Sequence, residues 1–234
     1  SVVPTGLTTP DPVQLQRSLR AFVDEGLQGC AIEASSIGLV EQRLDATRIG
    51  VAVFTNFTRD HLDFHGTMDA YWAAKASLFD WPGLQAAVVN LDDPRGRELA
   101  GQLARRAGSD PAAPDLWTIA IDAPARLRAE RVDLTRTGLA FDLIERLPQG
   151  SDSPVHRVEL PVVGRYNVHN LLGVLAAARA LDVPLGQAVM ACRRLSAVPG
   201  RMEQAPAGEG QPLVLVDYAH TPDALEKALQ AVQP

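Results

Sequence analysis

The chain has 234 residues, of which 46% are hydrophobic and 21% are charged, and its formal net charge is −6. This composition is typical of a folded globular protein and excludes global disorder, while two cysteines are too few for a disulfide scaffold. An acidic chain is a poor candidate for electrostatic nucleic-acid binding, and no run of about 18 apolar residues predicts a membrane span. The N-terminal segment SVVPTGLTTPDP lacks the basic and apolar regions of a signal peptide. We therefore expect a cytoplasmic protein in which Cys30 and Cys192 are buried thiols.

Helices and strands alternate in the first half of the chain. Apolar residues at helical spacing predict a first helix at 13–26. Strands are predicted at 29–35, 48–57, 85–93 and 115–122, and further helices at 67–79 and 94–106. The continuous apolar run VAVF within 48–57 is typical of a parallel strand covered on both faces. The alternation predicts an α/β fold with a mostly parallel sheet flanked by helices.

The pattern changes in the second half of the chain. Short alternating segments at 125–134, 138–146 and 155–163 predict a small antiparallel patch beside the parallel sheet, and helices are predicted at 165–181 and 184–195. A stretch rich in Pro and Gly at 196–212 then precedes a strand at 212–219 and a helix at 221–232, with Thr221 as its N-cap. One strand and one helix cannot bury a core, so they indicate the start of a second, truncated domain. We place the boundary between residues 1–203 and 204–234.

Polar side chains follow the predicted strands at the sheet edge where ligands of α/β proteins bind. Glu33 lies near the end of the strand predicted at 29–35, where it is either a capped or solvated carboxylate or a metal ligand. The segment after the next strand carries Asn56, Asp60, His61, Asp63 and His65. These side chains form either a hydrogen-bonded loop or a site for a divalent cation.

Lys75 lies in an almost entirely apolar part of its predicted helix. It is either a snorkelling cation or a partly buried amine whose lowered pKa allows chemical modification. Thr8, Thr9 and Ser35 are by themselves ordinary capping residues, and Arg43 is either a surface charge or an anion clamp. Neither a G-x-x-x-x-G-K-[ST] loop nor a strand-linked G-x-G-x-x-G occurs, so the phosphate loop of any ATP site is expected outside these residues.

Several segments resemble the Mur ligase family and follow the order of that family. They are TTPDPVQLQ (8–16), AIEASSIGLVEQRLD (31–45), VAVFTNFTRDHLDFHGTMDAYWAAKASLF (51–79), GRYNVHNLLGVLAAARAL (164–181), VPGRMEQ (198–204) and VDYAHTPDALEKAL (216–229). The TNFTRDHLDFHG block followed by AAK, and the DYAHTPD motif, are the most specific. The resemblance is closest to members that add the third amino acid of the muramyl peptide. It implies a central ATPase-type domain followed by the start of a C-terminal Rossmann-like domain.

The resemblance also implies roles for individual residues. Glu33 and His61 would hold a catalytic Mg²⁺, and Lys75 would be carbamylated by CO₂ and support a second Mg²⁺. The residues implied in contacts with the UDP-MurNAc-dipeptide are Thr8, Thr9, Ser35, Glu41 and Arg43. Those implied in nucleotide binding are Asn56, Asn167, Asn170, Arg201 and Asp217.

The implied reaction is ATP-dependent amide formation between UDP-MurNAc-L-Ala-D-Glu and a diamino acid, either meso-diaminopimelate or L-lysine, through an acyl phosphate. ATP is then a substrate, Mg²⁺ and the carbamate on Lys75 are cofactors, and a monomer without nucleic-acid or membrane partners is expected. Two positions depart from the family pattern. Ile37 replaces the usual His, and Glu41 replaces a Gln found in many members, which is expected to weaken contact with an anionic ligand.

The family's phosphate-binding loop and nearly all of its C-terminal domain have no counterpart in this sequence. We therefore expect that these residues alone neither bind ATP tightly nor catalyse ligation. Two alternatives stay open for the whole protein. One is another ligase of the superfamily, such as a different Mur ligase or folylpolyglutamate synthase. The other is a non-catalytic module that binds a UDP-muramyl ligand or a protein partner.

Overall fold

The computed structural model describes residues 5–134, 138–196, 198–205, 212, 214–220 and 222–230. Their contacts divide the chain into two compact units. Unit 1 comprises Ser1–Ala52 and Arg59–Gln85, and unit 2 comprises Val53–Thr58 and Ala86–Pro234. The domain boundary expected between residues 203 and 204 stays a prediction.

Unit 1 contains four described helices, three of which begin at side-chain caps. They are α1 (Pro12–Asp24), α2 (Ser36–Val40), α3 (Leu62–His65) and α4 (Met68–Ala76), which continues into a 3₁₀ turn at Ser77–Asp80. Asp11 caps α1 by accepting hydrogen bonds from the N–H groups of Val13 and Gln14, and Thr67 caps α4 by accepting from Ala70 N–H. The helices predicted at 13–26 and 67–79 are thereby confirmed.

The strand predicted at 29–35 is wrong. Residues 29–34 form no regular element, and residues 29–33 are exposed. A strand needs a neighbouring backbone to share its ladder of hydrogen bonds, and none of the described residues forms such a ladder with this segment. Cys30, which lies in it, is exposed and not buried as predicted, whereas Cys192 is buried as expected.

A six-stranded sheet follows the chain order β1 (Val51–Phe54), β2 (Ala86–Asn90), β3 (Asp115–Ala120), β4 (Leu127–Leu134), β5 (Leu139–Glu145) and β6 (His156–Leu160). The pairs β2–β3 and β3–β4 are parallel, and the pairs β4–β5 and β5–β6 are antiparallel. This architecture confirms the predicted α/β fold with its mostly parallel sheet and its antiparallel patch.

Helices cover the centre of the sheet in unit 2. α5 (Pro94–Ala107) begins at the Asp93 cap, and both it and α6 (Arg165–Ala180) pack on β2 and β3. Every residue of β2 is consequently buried. The expectation that β1 is covered on both faces is wrong at Val53, which is 37% exposed among the described residues. Side chains alternate between the faces of a strand, so the neighbours Ala52 and Phe54 are buried on the other face.

The last described elements are α7 (Leu185–Cys192), the antiparallel pair β7 (Glu203–Gln204) and β8 (Leu215–Val216), and α8 (Pro222–Gln230). β7 lies inside the stretch 196–212 that was predicted as a break. Thr221, the predicted cap of α8, lies outside the described residues. A search of the described helices finds none with the length and apolar character that a membrane crossing requires.

Candidate functional site

Thr9 organises a group of predicted site residues in unit 1. Its side chain is fully buried, and its hydroxyl donates a hydrogen bond to the Glu33 carbonyl at 2.7 Å. The same oxygen accepts from Ser35 N–H at 2.9 Å and lies 3.0 Å from Ser35 Oγ. Ser35 Oγ in turn caps α2 by accepting from Gly38 N–H at 3.0 Å. We call Thr9, Glu33 and Ser35 the Thr9 cluster, because these bonds fix an otherwise irregular segment.

Arg43 joins the Thr9 cluster from the end of α2. Its Nη1 donates to the Thr9 carbonyl at 3.0 Å, and its Nε donates to Glu41 Oε2 at 2.8 Å. The Arg43 side chain is 13% exposed and that of Glu41 is 45% exposed. Thr8, next to Thr9, is exposed. All the residues predicted to contact the muramyl substrate therefore lie in unit 1, and Glu41 partly neutralises the cation expected to meet an anionic ligand.

Gly38 allows α2 to approach the Thr9 cluster closely. A Cβ added at this position would lie 2.8 Å from Thr9 Cβ and 2.9 Å from Ser35 Oγ, which is closer than van der Waals contact allows. Sequence analysis did not identify Gly38 as a site residue. The available signal was its position three residues after the capping serine, because the side chain of a capping residue contacts the backbone of the first helical turn.

Lys75 is partly buried, which agrees with one of the two interpretations of its apolar helix. Burial lowers the pKa of the Lys75 amine, while the nearby charges of Glu33 and Asp60 act in the opposite direction. Its Nζ lies 5.0 Å from the ring centroid of Tyr71, one helical turn earlier on α4. The charges of two carboxylates thus act on one partly buried amine in unit 1.

Tyr71 is a central residue that sequence analysis missed. Its ring centroid lies 5.9 Å from that of His61 in an edge-on contact and 5.1 Å from that of His65 in a stacked contact. Burial, followed by the charge of Asp60, raises the pKa of the Tyr71 phenol to about 12, so the phenol is neutral at physiological pH. The i, i+4 spacing between Tyr71 and Lys75 was the signal that could have identified it.

His65 is half-buried, whereas His61 is exposed. His65 Nε2 lies 2.9 Å from Ser36 Oγ. The pKa of His65 is lowered by burial first and then by His61 and Lys75, with Asp63 opposing them. The imidazole is therefore held towards its neutral form.

The predicted metal ligands do not form a ready-made cage. In the ranges that the structure describes, no group of three or more His, Cys, Asp and Glu side chains could hold a metal ion. His61 has a left-handed backbone conformation with φ of 51°, and its Nε2 lies 3.6 Å from a carboxylate oxygen of Asp60. The donor chemistry suits Mg²⁺ if Lys75 supplies carbamate oxygens beside Glu33, because Mg²⁺ prefers oxygen ligands.

In unit 2, the two predicted asparagines lie in the first turns of α6. Asn167 Nδ2 donates to the Val163 carbonyl at 2.7 Å, and Asn167 Oδ1 accepts from Asn170 Nδ2 at 3.2 Å. The Asn167 side chain is thus engaged within the protein, while Asn170 is exposed. This division leaves Asn170 as the member of the pair that can meet a ligand directly.

Arg201 and Asp217 lie beside the small β7–β8 sheet of unit 2. Asp217 accepts hydrogen bonds from the N–H groups of Met202 at 2.9 Å and Ala219 at 2.8 Å. The Arg201 guanidinium lies 5.6 Å from the ring centroid of Tyr218. Asp217 therefore fixes the turn that carries Arg201.

Tyr166 connects these residues to α6. Burial and the charge of Asp217 raise the pKa of its phenol, whereas Arg201 and a hydrogen bond with Asn167 oppose that shift. The predicted nucleotide residues Asn167, Arg201 and Asp217 are thus all close enough to act on one phenol. Sequence analysis passed over Tyr166, although it directly precedes Asn167.

Asn56, the remaining predicted nucleotide residue, is exposed after β1. Its two neighbours are held by the last residue of β2 and by a residue that follows this strand. The Thr55 carbonyl accepts from Asn90 Nδ2 at 2.8 Å, and Phe57 N–H donates to Asp93 Oδ2 at 2.8 Å. The backbone around Asn56 is consequently fixed while its side chain is accessible.

Comparison with known proteins gives consistent results. The family description "Mur ligase middle domain" matches residues 1–178. A UDP-N-acetylmuramoyl-L-alanyl-D-glutamate–2,6-diaminopimelate ligase of Acidovorax sp. (strain JS42) is 59% identical over 98% of this chain and 43% of its own length. The enzyme of the same name from Janthinobacterium sp. (strain Marseille) is 48% identical over 98% of this chain and 44% of its own length. A solved structure titled as that ligase superimposes with a TM-score of 0.78 at 37% identity, over 95% of this chain and 43% of the other.

Proposed function

This chain belongs to the Mur ligase family, and we propose that it is the central part of an ATP-dependent ligase that joins 2,6-diaminopimelate to UDP-MurNAc-L-Ala-D-Glu. The chain spans less than half the length of the curated relatives it matches, so the proposed activity belongs to the whole protein. The observation that carries the proposal is the partly buried Lys75 amine on α4, on which the charges of Glu33 and Asp60 act. The Thr9 hydroxyl fixes the backbone of Glu33. The names of the relatives support diaminopimelate over lysine.

The proposed reaction has two steps. A carboxylate oxygen of the muramyl dipeptide attacks the γ-phosphorus of ATP, an O–P bond forms, and ADP leaves. The amine nitrogen of the diamino acid then attacks the acyl carbon, a C–N bond forms, inorganic phosphate leaves, and the nitrogen loses a proton. Catalysis of such phosphoryl transfer depends on positioning and on charge stabilisation more than on covalent chemistry of the protein.

Unit 1 would bind the muramyl substrate. Thr8 and Arg43 offer an accessible hydroxyl and a guanidinium to an anionic ligand. The hydroxyl groups of Thr9 and Ser35 are used inside the protein, so these two residues would orient the binding segment. Glu41 pairs with Arg43 and would modulate its affinity for the ligand.

Carbamylation of Lys75 is the proposed modification of this site. The neutral amine attacks the carbon of CO₂, a C–N bond forms, an electron pair moves to oxygen, and the nitrogen loses a proton. Because burial lowers the pKa of Lys75, more of the amine is neutral than for a solvated lysine. The product is an anion beside Glu33 and Asp60, and such a group of like charges requires a cation.

Glu33, His61 and the carbamate on Lys75 would hold Mg²⁺, which would neutralise charge on the phosphoryl group. In unit 2, Asn56, Asn170, Arg201 and Asp217 would contact the nucleotide, with Asn167 as an internal support. A cytoplasmic location and a monomeric state stay predictions from the sequence.

The test uses the full-length protein that contains this chain. Phosphate release and amide formation are measured with ATP, the UDP-muramyl dipeptide and either diaminopimelate or lysine. The expected result is ligation with diaminopimelate, loss of ligation in Lys75→Ala, and partial recovery of that variant with formate or bicarbonate. Ala73→Ser, at an exposed position of the same helix, is the matched control.

The outcomes separate the open alternatives. Binding of the muramyl ligand without phosphate release would favour a non-catalytic module. Ligation of a different acceptor would favour another ligase of the superfamily. Parental turnover by Lys75→Ala without an added carboxylate would refute the role of Lys75.

A further inference from the structure

Asp92 connects three elements at the carboxyl end of β2. Its Oδ2 accepts hydrogen bonds from Ile121 N–H at 2.6 Å and from His169 Nε2 at 2.8 Å, and its Oδ1 accepts from Asp122 N–H at 3.2 Å. The side chains of Asp92 and His169 are 12% and 21% exposed, so the pair is largely shielded from water. Neither residue was identified by sequence analysis as part of a site.

The chemistry of the pair determines which ring nitrogen of His169 carries the hydrogen. An ionised carboxylate only accepts hydrogen bonds, so Nε2 of His169 carries the hydrogen in this contact. A hydrogen bond with a charged partner is stronger than a neutral one, and partial burial reduces its screening. The segment after β2, the segment after β3 and helix α6 are therefore held by one carboxylate.

The position of His169 on α6 determines what this contact orients. Successive helical residues are rotated by about 100°, so Asn167 and Asn170 share one face and His169 lies on another. The contact with Asp92, together with the buried Val168 and Leu172, thus fixes the rotation of the first turns of α6, and with it the direction in which the exposed Asn170 points. The neighbouring pair Arg165–Asp122 is an exposed surface ion pair and contributes little to this orientation.

We propose that His169, held by Asp92, is a positioning residue for the nucleotide site at Asn170, which Asn167 supports from inside the protein. The inference rests on the proposed function, since it assigns a nucleotide to these asparagines. His169 does not contact the substrate. It acts by presenting Asn170 at a defined angle, so its loss weakens nucleotide binding without removing a ligand contact.

The experiment measures the KM for ATP, the KM for the UDP-muramyl dipeptide and kcat in the full-length protein. His169→Leu removes the donor, whereas His169→Gln keeps an N–H that can reach Asp92. We expect His169→Leu to raise the KM for ATP roughly tenfold, which corresponds to about 1.4 kcal/mol. The KM for the muramyl substrate stays within about twofold, and His169→Gln recovers most of the loss. Val174→Ala, at an exposed position of α6, is the control without effect.

Each other result overturns the assignment. An unchanged KM for ATP in His169→Leu shows that the pair does not position the site. An equal rise in both KM values, unrelieved by His169→Gln, shows a general structural role. If His169→Leu does not fold, it is replaced by His169→Asn, whose side chain is too short to reach Asp92. If neither variant folds, the pair is only a stabilising contact and the assignment is likewise overturned. A parent protein without ligase activity contradicts the proposed function, whereas an active parent with an unaffected His169→Leu contradicts only this inference.

Discussion

Replacing Thr9 with valine is expected to lower the free energy of unfolding by about 2 kcal/mol. The substitution keeps the shape of the side chain but removes the hydroxyl that bonds the Glu33 carbonyl and Ser35 N–H. A buried polar group left unpaired costs about 1–3 kcal/mol. The Ser35 N–H bears most of this cost, because Glu33 is exposed and its carbonyl can be partly rescued by water.

The assay combines urea unfolding with hydrogen exchange of the Ser35 amide. A loss of about 2 kcal/mol corresponds to a roughly 30-fold change in an opening equilibrium, so the Ser35 amide should exchange faster by about that factor. Thr9→Ser keeps the hydroxyl and should leave this amide protected. Thr5→Val removes an exposed hydroxyl that bonds the Leu7 carbonyl and should change the stability by less than about 0.5 kcal/mol.

The result that refutes this reasoning is specific. If Thr9→Val unfolds within about 0.5 kcal/mol of the parent and the Ser35 amide exchanges at the parental rate, the Thr9 hydroxyl does not hold the segment. The Thr9 cluster would then be a consequence of other packing and not its cause.

Further predictions concern the charges and the glycines. Glu41→Gln frees Arg43 from an exposed ion pair worth at most about 1 kcal/mol, so the KM for the UDP-muramyl dipeptide should fall roughly two- to fivefold in steady-state kinetics. Gly38→Ala should lower the urea midpoint through overpacking worth about 1–3 kcal/mol, whereas Gly186→Ala, a helical glycine with open space, should raise it. Burial makes the pKa of Lys75 lower in the folded state than in the unfolded state. Between these two pKa values the unfolded state binds more protons, so the free energy of unfolding rises with pH. This rise should be absent in Lys75→Met when urea unfolding is measured as a function of pH in CO₂-free buffer.

Local signals in the sequence predicted most of the helices and most strands of the sheet. Pro94 after Asp93 marks the start of α5, and Thr67 marks the start of α4, because a cap acts within one turn. The segment 29–35 has the apolar character of a strand, but a strand exists only where another backbone pairs with it. The prediction therefore failed because no backbone among the described residues pairs with this segment, and the exposure of Cys30 follows from the same cause.

The candidate site was predicted in part. The resemblance to the family selected residues that the structure brings together in unit 1, such as Thr9, Ser35 and Arg43. It did not indicate that the Thr9 hydroxyl points inward or that Glu41 pairs with Arg43, because these contacts depend on how the residues around α2 pack against the segment that carries Thr9.

By itself, the sequence determined the alternation of elements and the fold class, because these follow from local periodicity and capping. The expected ligase chemistry came from the resemblance to the family. Only the tertiary structure decided which hydroxyls are internal, which amine is desolvated, and which side chains interact with Tyr71, Tyr166 and His169. Desolvation and side-chain contacts depend on residues distant in the chain. The pattern of one segment does not specify which distant residues pack against it in the folded protein.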